Sequence, residues 1–218
     1  MTIAVTQVNI SDENRVTVIA ESLIKSGALK FGSFILKSGI TSPYYIDLSW
    51  LLSSPADFNR VTEVIAEEIR QIISARRIDK LATIELKGAL ILPHVASALK
   101  IPCVIVRKET KTYGLTGRIV GGEVRRGEHL LFFDDVITDG RSKVEGMKPI
   151  EKMGGIIDLV MIVVDREQGG KENLESMGYE VKAIATISEI INKLLELGEI
   201  SREKAEEIMN YINKAKMS

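Results

Sequence analysis

The chain has 218 residues, of which 45% are hydrophobic and 27% are charged, a globular composition that excludes intrinsic disorder. Lys and Arg total 29 against 30 Asp and Glu, so no overall basic charge attracts nucleic acid, and any anion site must be local. The single cysteine, Cys103, excludes an internal disulfide. The apolar runs fall short of the roughly 20 residues that span a bilayer, and the first residues lack a signal-peptide pattern. We therefore expect a soluble, cytoplasmic protein without a membrane or nucleic-acid partner.

The first 75 residues predict two helices separated by short extended segments. Ser11 is a typical N-cap for a helix that ends at Gly27. Extended pieces follow around Gly32 and over residues 44–48. Ser54 and Pro55 then begin a second helix, whose apolar face extends to about residue 75.

Beyond residue 80, strands alternate with helices. Strands are predicted at residues 81–84, 102–106, 130–133, 156–164 and 181–186, and helices at 89–100, 142–153, 171–177 and from Ser188 and Ser201. This alternation predicts an α/β fold with a mainly parallel sheet flanked by helices. We divide it into an N-terminal subdomain (1–55), a core (56–187) and a helical tail (188–218). The Glu- and Lys-rich tail predicts a solvated helix pair, with a partner surface as the alternative.

Residues 130–142, LLFFDDVITDGRS, carry the strongest chemical signal. Ligands of open parallel sheets bind beyond the carboxyl ends of the strands, where Asp134 and Asp135 lie. Inside a strand one of these carboxylates would be buried, so we expect the strand to have ended at residue 133. Residues 138–142 then have the composition of a phosphate-binding nest at a helix start. The alternative is an acidic turn before an ordinary capped helix.

The order of these residues resembles the phosphoribosyl pyrophosphate (PRPP) signature of type I phosphoribosyltransferases. Asp139 and Arg141 depart from it, since small residues are common at both positions. A carboxylate beside a phosphate is unfavourable unless Asp139 points outward or Arg141 compensates its charge.

Four further segments resemble orotate phosphoribosyltransferases in particular. RKETKTYG (107–114) is similar to their mobile catalytic loop, with Tyr113 in place of a histidine; alone, it reads as a solvated basic loop. FILKSGITSPYYID (34–47) is similar to their N-terminal segment, and alone it reads as a hairpin with core aromatics. ELKGALILP (85–93) is similar to their pyrophosphate loop, although Pro93 lies deeper in the helix than proline usually tolerates. DREQGGKENLESMG (165–178) is similar to their orotate-binding segment.

The resemblance implies a type I phosphoribosyltransferase fold with a small N-terminal hood and a helical tail. It implies transfer of the phosphoribosyl group of PRPP to orotate, giving orotidine 5′-monophosphate and pyrophosphate in pyrimidine biosynthesis. It further implies Mg²⁺ carried mainly on PRPP, without confident protein ligands, and a homodimer in which residues 107–118 complete the neighbouring site.

The same resemblance implies a role for each matching residue. The implied catalytic residues are Asp134, Asp135 and Lys111. PRPP or pyrophosphate would be bound by Lys37, Lys87, Arg107, Lys108, Lys111, Asp134, Asp135, Val136, Ile137, Thr138, Asp139, Gly140, Arg141 and Ser142. Orotate would be bound by Tyr44, Tyr45, Thr138 and Arg166, whose guanidinium suits a carboxylate.

Two other functions remain open from the residues. One is a phosphoribosyltransferase for another base, against which Arg166 argues because a neutral base needs no cation. The other is a non-catalytic PRPP-binding regulator, against which the retained lysines argue. His94, His129 and Cys103 have no metal-ligand or triad spacing, so we expect structural roles for them.

Overall fold

The computed structural model describes residues 12–35, 39–111 and 117–216. Its helices are α1 (Asp12–Lys25), α2 (Pro55–Ala75), α3 (Lys87–Leu99), α4 (Arg141–Lys152), α5 (Gly170–Ser176), α6 (Ile187–Glu196) and α7 (Arg202–Lys216), with a 3₁₀ helix at Leu48–Ser53. Its strands are β1 (Leu29–Ile35), β2 (Thr41–Ile46), β3 (Lys80–Ile84), β4 (Cys103–Lys111), β5 (Gly117–Val120), β6 (His129–Ile137), β7 (Ile156–Asp165) and β8 (Val181–Thr186).

Six strands form the central sheet in the order β5-β4-β3-β6-β7-β8. The pairs from β4 to β8 are parallel, and only β5 at one edge is antiparallel. Strands β1 and β2 form a separate antiparallel pair. The predicted α/β fold with a mainly parallel sheet is confirmed, and it brings the carboxyl ends of β3, β6 and β7 to one edge.

Alternate residues of the central strands enter two hydrophobic clusters, one on each face of the sheet. Leu131 and Phe133 of β6 join the larger cluster, which includes residues of α1, α2, α3, α6 and α7. Leu130 and Phe132 join the smaller cluster, beneath α4 and α5. Since both faces are covered, the strands are apolar nearly throughout, and charged side chains collect at their ends.

Two predicted strand ends are wrong. Strand β6 continues through Asp134 and Asp135 to Ile137, because the longer β7 pairs with it as far as Asp165. Strand β4 continues beyond Val106 to Lys111, because the unpredicted β5 returns antiparallel alongside it. Arg107 and Lys108 therefore lie in a strand and not in a loop.

Helix α3 begins at Lys87, two residues before its predicted start, and continues through Pro93. Proline removes one helical hydrogen bond, yet Leu92 and Val95 on either side are fully buried and hold the helix against the sheet. None of the helices in the described ranges is both long enough and apolar enough to cross a membrane.

Gly146 sets how closely α4 approaches the sheet. A Cβ atom there would lie 2.6 Å from the Phe132 ring and 3.0 Å from Ile84 Cβ. We expect Gly146→Ala to lower the free energy of unfolding by about 1–3 kcal/mol through overpacking, despite the better helix propensity of alanine. Urea unfolding measures this, with Glu145→Ala at an exposed position of α4 as the control. Unchanged or raised stability would show that the ring makes room without cost.

Candidate active site

Two adjacent buried carboxylates form the centre of the site. Asp134 and Asp135 lie near the carboxyl end of β6, and each is 5% exposed. Because they are within a strand, their side chains leave it on opposite sides. Burying charged groups within a strand is costly, so the groups that compensate these charges are central to the site.

Lys143 of α4 compensates Asp134. Its Nζ lies 2.7 Å from Asp134 Oδ2, and both side chains are almost completely buried. The same ammonium donates to the Val136 carbonyl and lies 3.3 Å from Ser142 Oγ. The other oxygen of Asp134 accepts a hydrogen bond from the Asp135 backbone N–H at 3.0 Å. Both oxygens of Asp134 therefore have a partner within the protein.

Asp135 is in a different state. Its Oδ2 is buried and has no hydrogen-bond partner among the described residues. Burial, and then the negative charge of Asp134, raise its pKa to about 7, although Lys143 and Lys87 act in the opposite direction. An unpartnered buried carboxylate oxygen is a ready acceptor for a ligand hydroxyl group.

Lys87, in the first turn of α3, is the second cation near this site, after Lys143 of α4. Its Nζ lies 3.1 Å from Asp47 Oδ2, in an ion pair that joins the end of β2 to α3. Asp47 Oδ1 also accepts hydrogen bonds from the backbone and hydroxyl of Ser49. Burial raises the pKa of Asp47, but the bonds from Ser49 and Lys87 outweigh it and leave that pKa below its usual value. Lys87 is thus held near the acidic pair while 40% of its side chain stays exposed.

Gly88 allows α3 to begin this close to β6. A Cβ atom at this position would overlap Thr83 Oγ1 and lie 2.8 Å from Asp134 Oδ1. The Lys-Gly pair therefore combines a cation with the small residue that lets the helix reach the carboxylates.

Residues 138–142 lead from β6 into α4. Gly140, with φ of +80°, is the N-cap of the helix, and a Cβ there would lie 3.0 Å from the Gly170 carbonyl. Arg141 donates from its backbone to Asp139 Oδ1 at 3.0 Å and from Nε to Oδ2 at 2.6 Å. Burial raises the pKa of Asp139, but these bonds outweigh it and lower that pKa overall. The two departures from the family pattern thus pair with each other.

Arg166, directly after β7, forms a second buried site with Tyr44 of β2. Its Nε lies 3.3 Å from the Tyr44 hydroxyl, and its guanidinium carbon lies 5.0 Å from the centre of the Tyr44 ring. Burial raises the pKa of Tyr44, with Arg166 acting against it. One terminal nitrogen of Arg166 is buried and has no partner within the described part of the chain. This nitrogen can bind a carboxylate.

Several residues named from the sequence lie elsewhere. Tyr45 is on the opposite side of β2 from Tyr44, with its ring 5.6 Å from that of Phe34. Arg107 lines a cavity of about 720 Å³ beside β5 and α4, and neither aspartate lines that cavity. Lys108 is exposed, and its backbone N–H donates to Glu85. Lys37 and Tyr113 lie outside the described residues, as does the side chain of Lys111.

The two histidines and the cysteine have the contacts of structural residues. The His94 ring packs edge-on against Phe58, and His129 Nδ1 lies 2.9 Å from Asp158. Cys103 is in β4, where burial raises the pKa of its thiol. Across the described ranges, no group of three or more His, Cys, Asp or Glu is placed to hold a metal ion.

Three residues of the site were not predicted from the sequence: Lys143, Asp47 and Tyr211. The ring of Tyr211, from α7, stands edge-on to Tyr44 at 5.9 Å. Lys143 had a detectable signal, because it falls on the same helical stripe as the buried Gly146, Met147 and Ile150. Asp47 and Tyr211 had no detectable sequence signal, because the residues they contact, Lys87 and Tyr44, are far from them in the chain.

Comparison with known proteins agrees with this geometry. No family model matched the chain. A curated orotate phosphoribosyltransferase from Thermoplasma volcanium is 38% identical over 173 residues, covering 79% of this chain and 99% of the relative. A crystal structure of orotate phosphoribosyltransferase from Aeropyrum pernix superimposes with a TM-score of 0.71 and 28% identity, covering 84% of this chain and 99% of that one.

Two longer proteins also match. UMP synthase from Leishmania donovani has a TM-score of 0.80 and 25% identity, with 93% of this chain and 43% of that chain covered. Bovine uridine 5′-monophosphate synthase is 34% identical over 185 residues, 85% of this chain and 38% of the relative. The chain therefore spans less than half of these two larger proteins.

The sheet order, the acidic pair and the loop into α4 define a type I phosphoribosyltransferase. Within that class the two relatives of matching length are both orotate phosphoribosyltransferases, and the chain belongs to the orotate phosphoribosyltransferase family. It is accordingly a pentosyltransferase of pyrimidine biosynthesis.

The raised pKa of Asp135 makes folding depend on pH. A carboxyl group whose pKa is higher in the folded state stabilises the fold at low pH, and this contribution is lost as pH rises towards 7. We expect Asp135→Asn to escape that loss. The difference in free energy of unfolding, Asp135→Asn minus the natural protein, should therefore increase between about pH 4 and pH 7. We expect this increase to be on the order of a few kcal/mol.

Urea unfolding at pH 4.5, 6 and 8 measures this difference. Glu145→Gln, at an exposed carboxylate, controls for the loss of one negative charge. A difference between Asp135→Asn and the natural protein that stays flat with pH would show that Asp135 ionises as freely in the folded chain as in the unfolded one.

Proposed function

We propose that the protein transfers the 5-phosphoribosyl group of PRPP to N1 of orotate and releases pyrophosphate. The observation that carries this proposal is the unpartnered guanidinium nitrogen of buried Arg166 beside Tyr44. Orotate bears a carboxylate, which two parallel guanidinium hydrogen bonds fit. A neutral purine or pyrimidine would leave this buried cation unpaired, which is costly.

The reacting carbon is anomeric, so displacement passes through an oxocarbenium-like state. Asp134 and Asp135 face the sugar in this proposal, where they hold the ribose hydroxyls and favour positive charge on the ring. No general acid or base is needed when orotate binds with N1 already deprotonated.

The leaving pyrophosphate requires positive charge. Lys87 lies near the acidic pair, and 40% of its side chain is exposed and accessible to a ligand. Lys37, Arg107, Lys108 and Lys111 complete the set that we assign to pyrophosphate.

Magnesium fits this chemistry as an ion carried by the substrate. Mg²⁺ prefers oxygen ligands, retains waters and needs few protein groups, so PRPP oxygens would hold it. When bound, it supplies further neutralisation of the pyrophosphate.

Residues 138–142 bind the 5′-phosphate in this proposal, with Val136 and Ile137 placing the loop. The start of a helix favours an anion, and the start of α4 would provide this environment for the phosphate. Because Arg141 already pairs with Asp139, that carboxylate does not stand uncompensated beside the phosphate. Thr138, whose side chain is exposed at the end of β6, contacts both substrates.

We also propose a cytoplasmic homodimer in which residues 107–118 complete the neighbouring site. The position of Arg107 supports this, because its side chain lines a cavity away from the acidic pair of its own chain.

Orotate consumption with PRPP and Mg²⁺, followed by ultraviolet absorbance, tests the reaction, with uracil and hypoxanthine as parallel substrates. We expect PRPP-dependent loss of orotate alone. Arg166→Gln should raise the KM for orotate about 10- to 100-fold, since a charged hydrogen-bonded pair is lost, and change the KM for PRPP much less.

Arg141→Gln, on the exposed arginine of the phosphate loop, is the matched control and should affect PRPP more than orotate. Equal losses for both substrates in Arg166→Gln would contradict the carboxylate site. PRPP binding without consumption of any base would favour the alternative function, a non-catalytic regulator that binds PRPP.

Mixed dimers test whether the loop acts across subunits. Lys111→Ala and Asp135→Asn chains, each inactive alone, should regain about a quarter of the natural activity in an equal mixture. Half of the dimers are then mixed, and one of the two sites in each mixed dimer contains both natural residues. Activity of verified mixed dimers reports this. No recovery would show that each loop serves its own chain.

A further inference from the structure

Glu167, the residue after Arg166, has an unusual backbone conformation. Its φ is +56°, in the left-handed region that residues with a side chain rarely adopt. Among the described residues, Lys100 is the other non-glycine residue with a positive φ, and it ends α3, where this conformation is common. Glu167 follows a strand and ends no helix. Its surroundings must therefore hold it in this conformation.

Two hydrogen bonds supply that restraint. The Glu167 backbone N–H donates to Asp165 Oδ1 at 2.7 Å, which closes a tight turn around Arg166. Glu167 Oε2 accepts a hydrogen bond from the Ser188 backbone N–H at 2.9 Å. The second bond joins the turn after β7 to the start of α6. The turn is thus fixed both by its own aspartate and by a separate helix.

The first turn of α6 is suited to this carboxylate. Thr186 and Glu189 form a capping box, in which the Thr186 hydroxyl accepts the Glu189 backbone N–H and the Glu189 carboxylate accepts that of Thr186. The N–H of Ser188, between them in sequence, is bound by Glu167 instead. A helix N-terminus also favours negative charge. Glu167 therefore stabilises the start of α6 and is itself held by it.

The backbone of Arg166 is fixed on both sides. Its own N–H donates to the Ile137 carbonyl at 3.1 Å, which holds the preceding peptide against β6. The following peptide carries the Glu167 N–H and is held by the turn. The side chain then extends to Tyr44, whose hydroxyl lies 3.3 Å from Nε, and ends in the buried terminal nitrogen without a partner in the described structure. The direction of this guanidinium thus depends on the turn at Glu167.

We propose that Glu167 is a positioning residue for orotate recognition, because its carboxylate, anchored at the start of α6, fixes the direction in which Arg166 presents its guanidinium. This inference rests on the proposed function and deepens it by naming what holds the orotate-binding arginine. Glu167 itself does not touch the substrate. It connects the base site to a helix to which no substrate contact is assigned.

The test compares Glu167→Ala, Glu167→Gln and Glu167→Gly with the matched control Glu189→Ala. Both alanine variants remove a carboxylate from the same helix N-terminus, so both should lower the melting temperature by about 2–4 °C. The KM for orotate, the KM for PRPP and kcat are measured for each. Because the hydrogen bonds of Glu189 stay within α6 and its cap, Glu189→Ala should leave all three constants within about twofold.

We expect Glu167→Ala to raise the KM for orotate about 5- to 30-fold, because a displaced guanidinium binds the carboxylate poorly, and to change the KM for PRPP less than about threefold. Glu167→Gln keeps an acceptor oxygen at the same reach and should stay within about threefold of the natural protein for both substrates. Glu167→Gly adopts the left-handed turn readily but lacks the carboxylate, so its KM for orotate should be raised as in Glu167→Ala.

Three results would overturn the proposal. Equal KM values for orotate in Glu167→Ala and Glu189→Ala would reduce Glu167 to a helix cap. A natural KM in Glu167→Gly would show that the turn matters without the carboxylate. A Glu167→Gln variant as impaired as Glu167→Ala would indicate an effect of charge and not of position. If Glu167→Ala does not fold, the glycine and glutamine variants decide in the same way.

A readout without substrate separates this inference from the proposed function. The Arg166 Nε–H signal in ¹⁵N NMR spectra, assigned by its loss in Arg166→Gln, reports the contact with Tyr44. Its exchange with water should be slow in the natural protein and in Glu167→Gln, and faster in Glu167→Ala and Glu167→Gly. A natural protein that consumes no orotate contradicts the proposed function, whereas unchanged Nε–H exchange in Glu167→Ala contradicts the positioning role.

Discussion

The burial of two adjacent carboxylates near the end of β6 constrains everything around them. Such charges are tolerated in a sheet interior only when nearby cations and donors replace the lost water. Lys143 supplies this from α4 and Lys87 from α3, so both helices must begin close to the strand. Gly88 is required for the same reason, because no side chain fits between α3 and Asp134. Helix positions, glycine and lysines are thus consequences of one electrostatic requirement.

The sequence predicted the layers of the fold well, because apolar periodicity reports burial directly. It placed the ends of β4 and β6 wrongly, because those ends depend on the neighbouring strands and not on local composition. The rule that charges end a strand failed at Asp134, where the compensating Lys143 is nine residues away on a helix. Local sequence singled out Asp134, Asp135, residues 138–142 and Arg166 as candidate site residues. It missed Asp47 and Tyr211, whose partners come from distant parts of the chain.

The two halves of the site use burial differently. At the acidic pair, desolvation raises the pKa of Asp135, and one buried oxygen of this carboxyl group has no hydrogen-bond partner among the described residues. Arg166 stays charged when buried, as arginines do, and one of its terminal nitrogens has no hydrogen-bond acceptor among the described residues. The end of β6 therefore offers negative charge, and the end of the neighbouring β7 offers positive charge. A substrate pair with hydroxyls on one partner and a carboxylate on the other matches this division.

The contact between Tyr44 and Tyr211 joins the second strand to the last helix. During synthesis the N-terminal hairpin leaves the ribosome early, but the wall that α7 provides is among the last parts to emerge. The surroundings of Tyr44 are consequently complete only when translation ends, whereas the acidic pair and its two helices can assemble before that. A chain that is cut short before α7 would keep Asp134, Asp135 and residues 138–142 and yet expose Tyr44 to water.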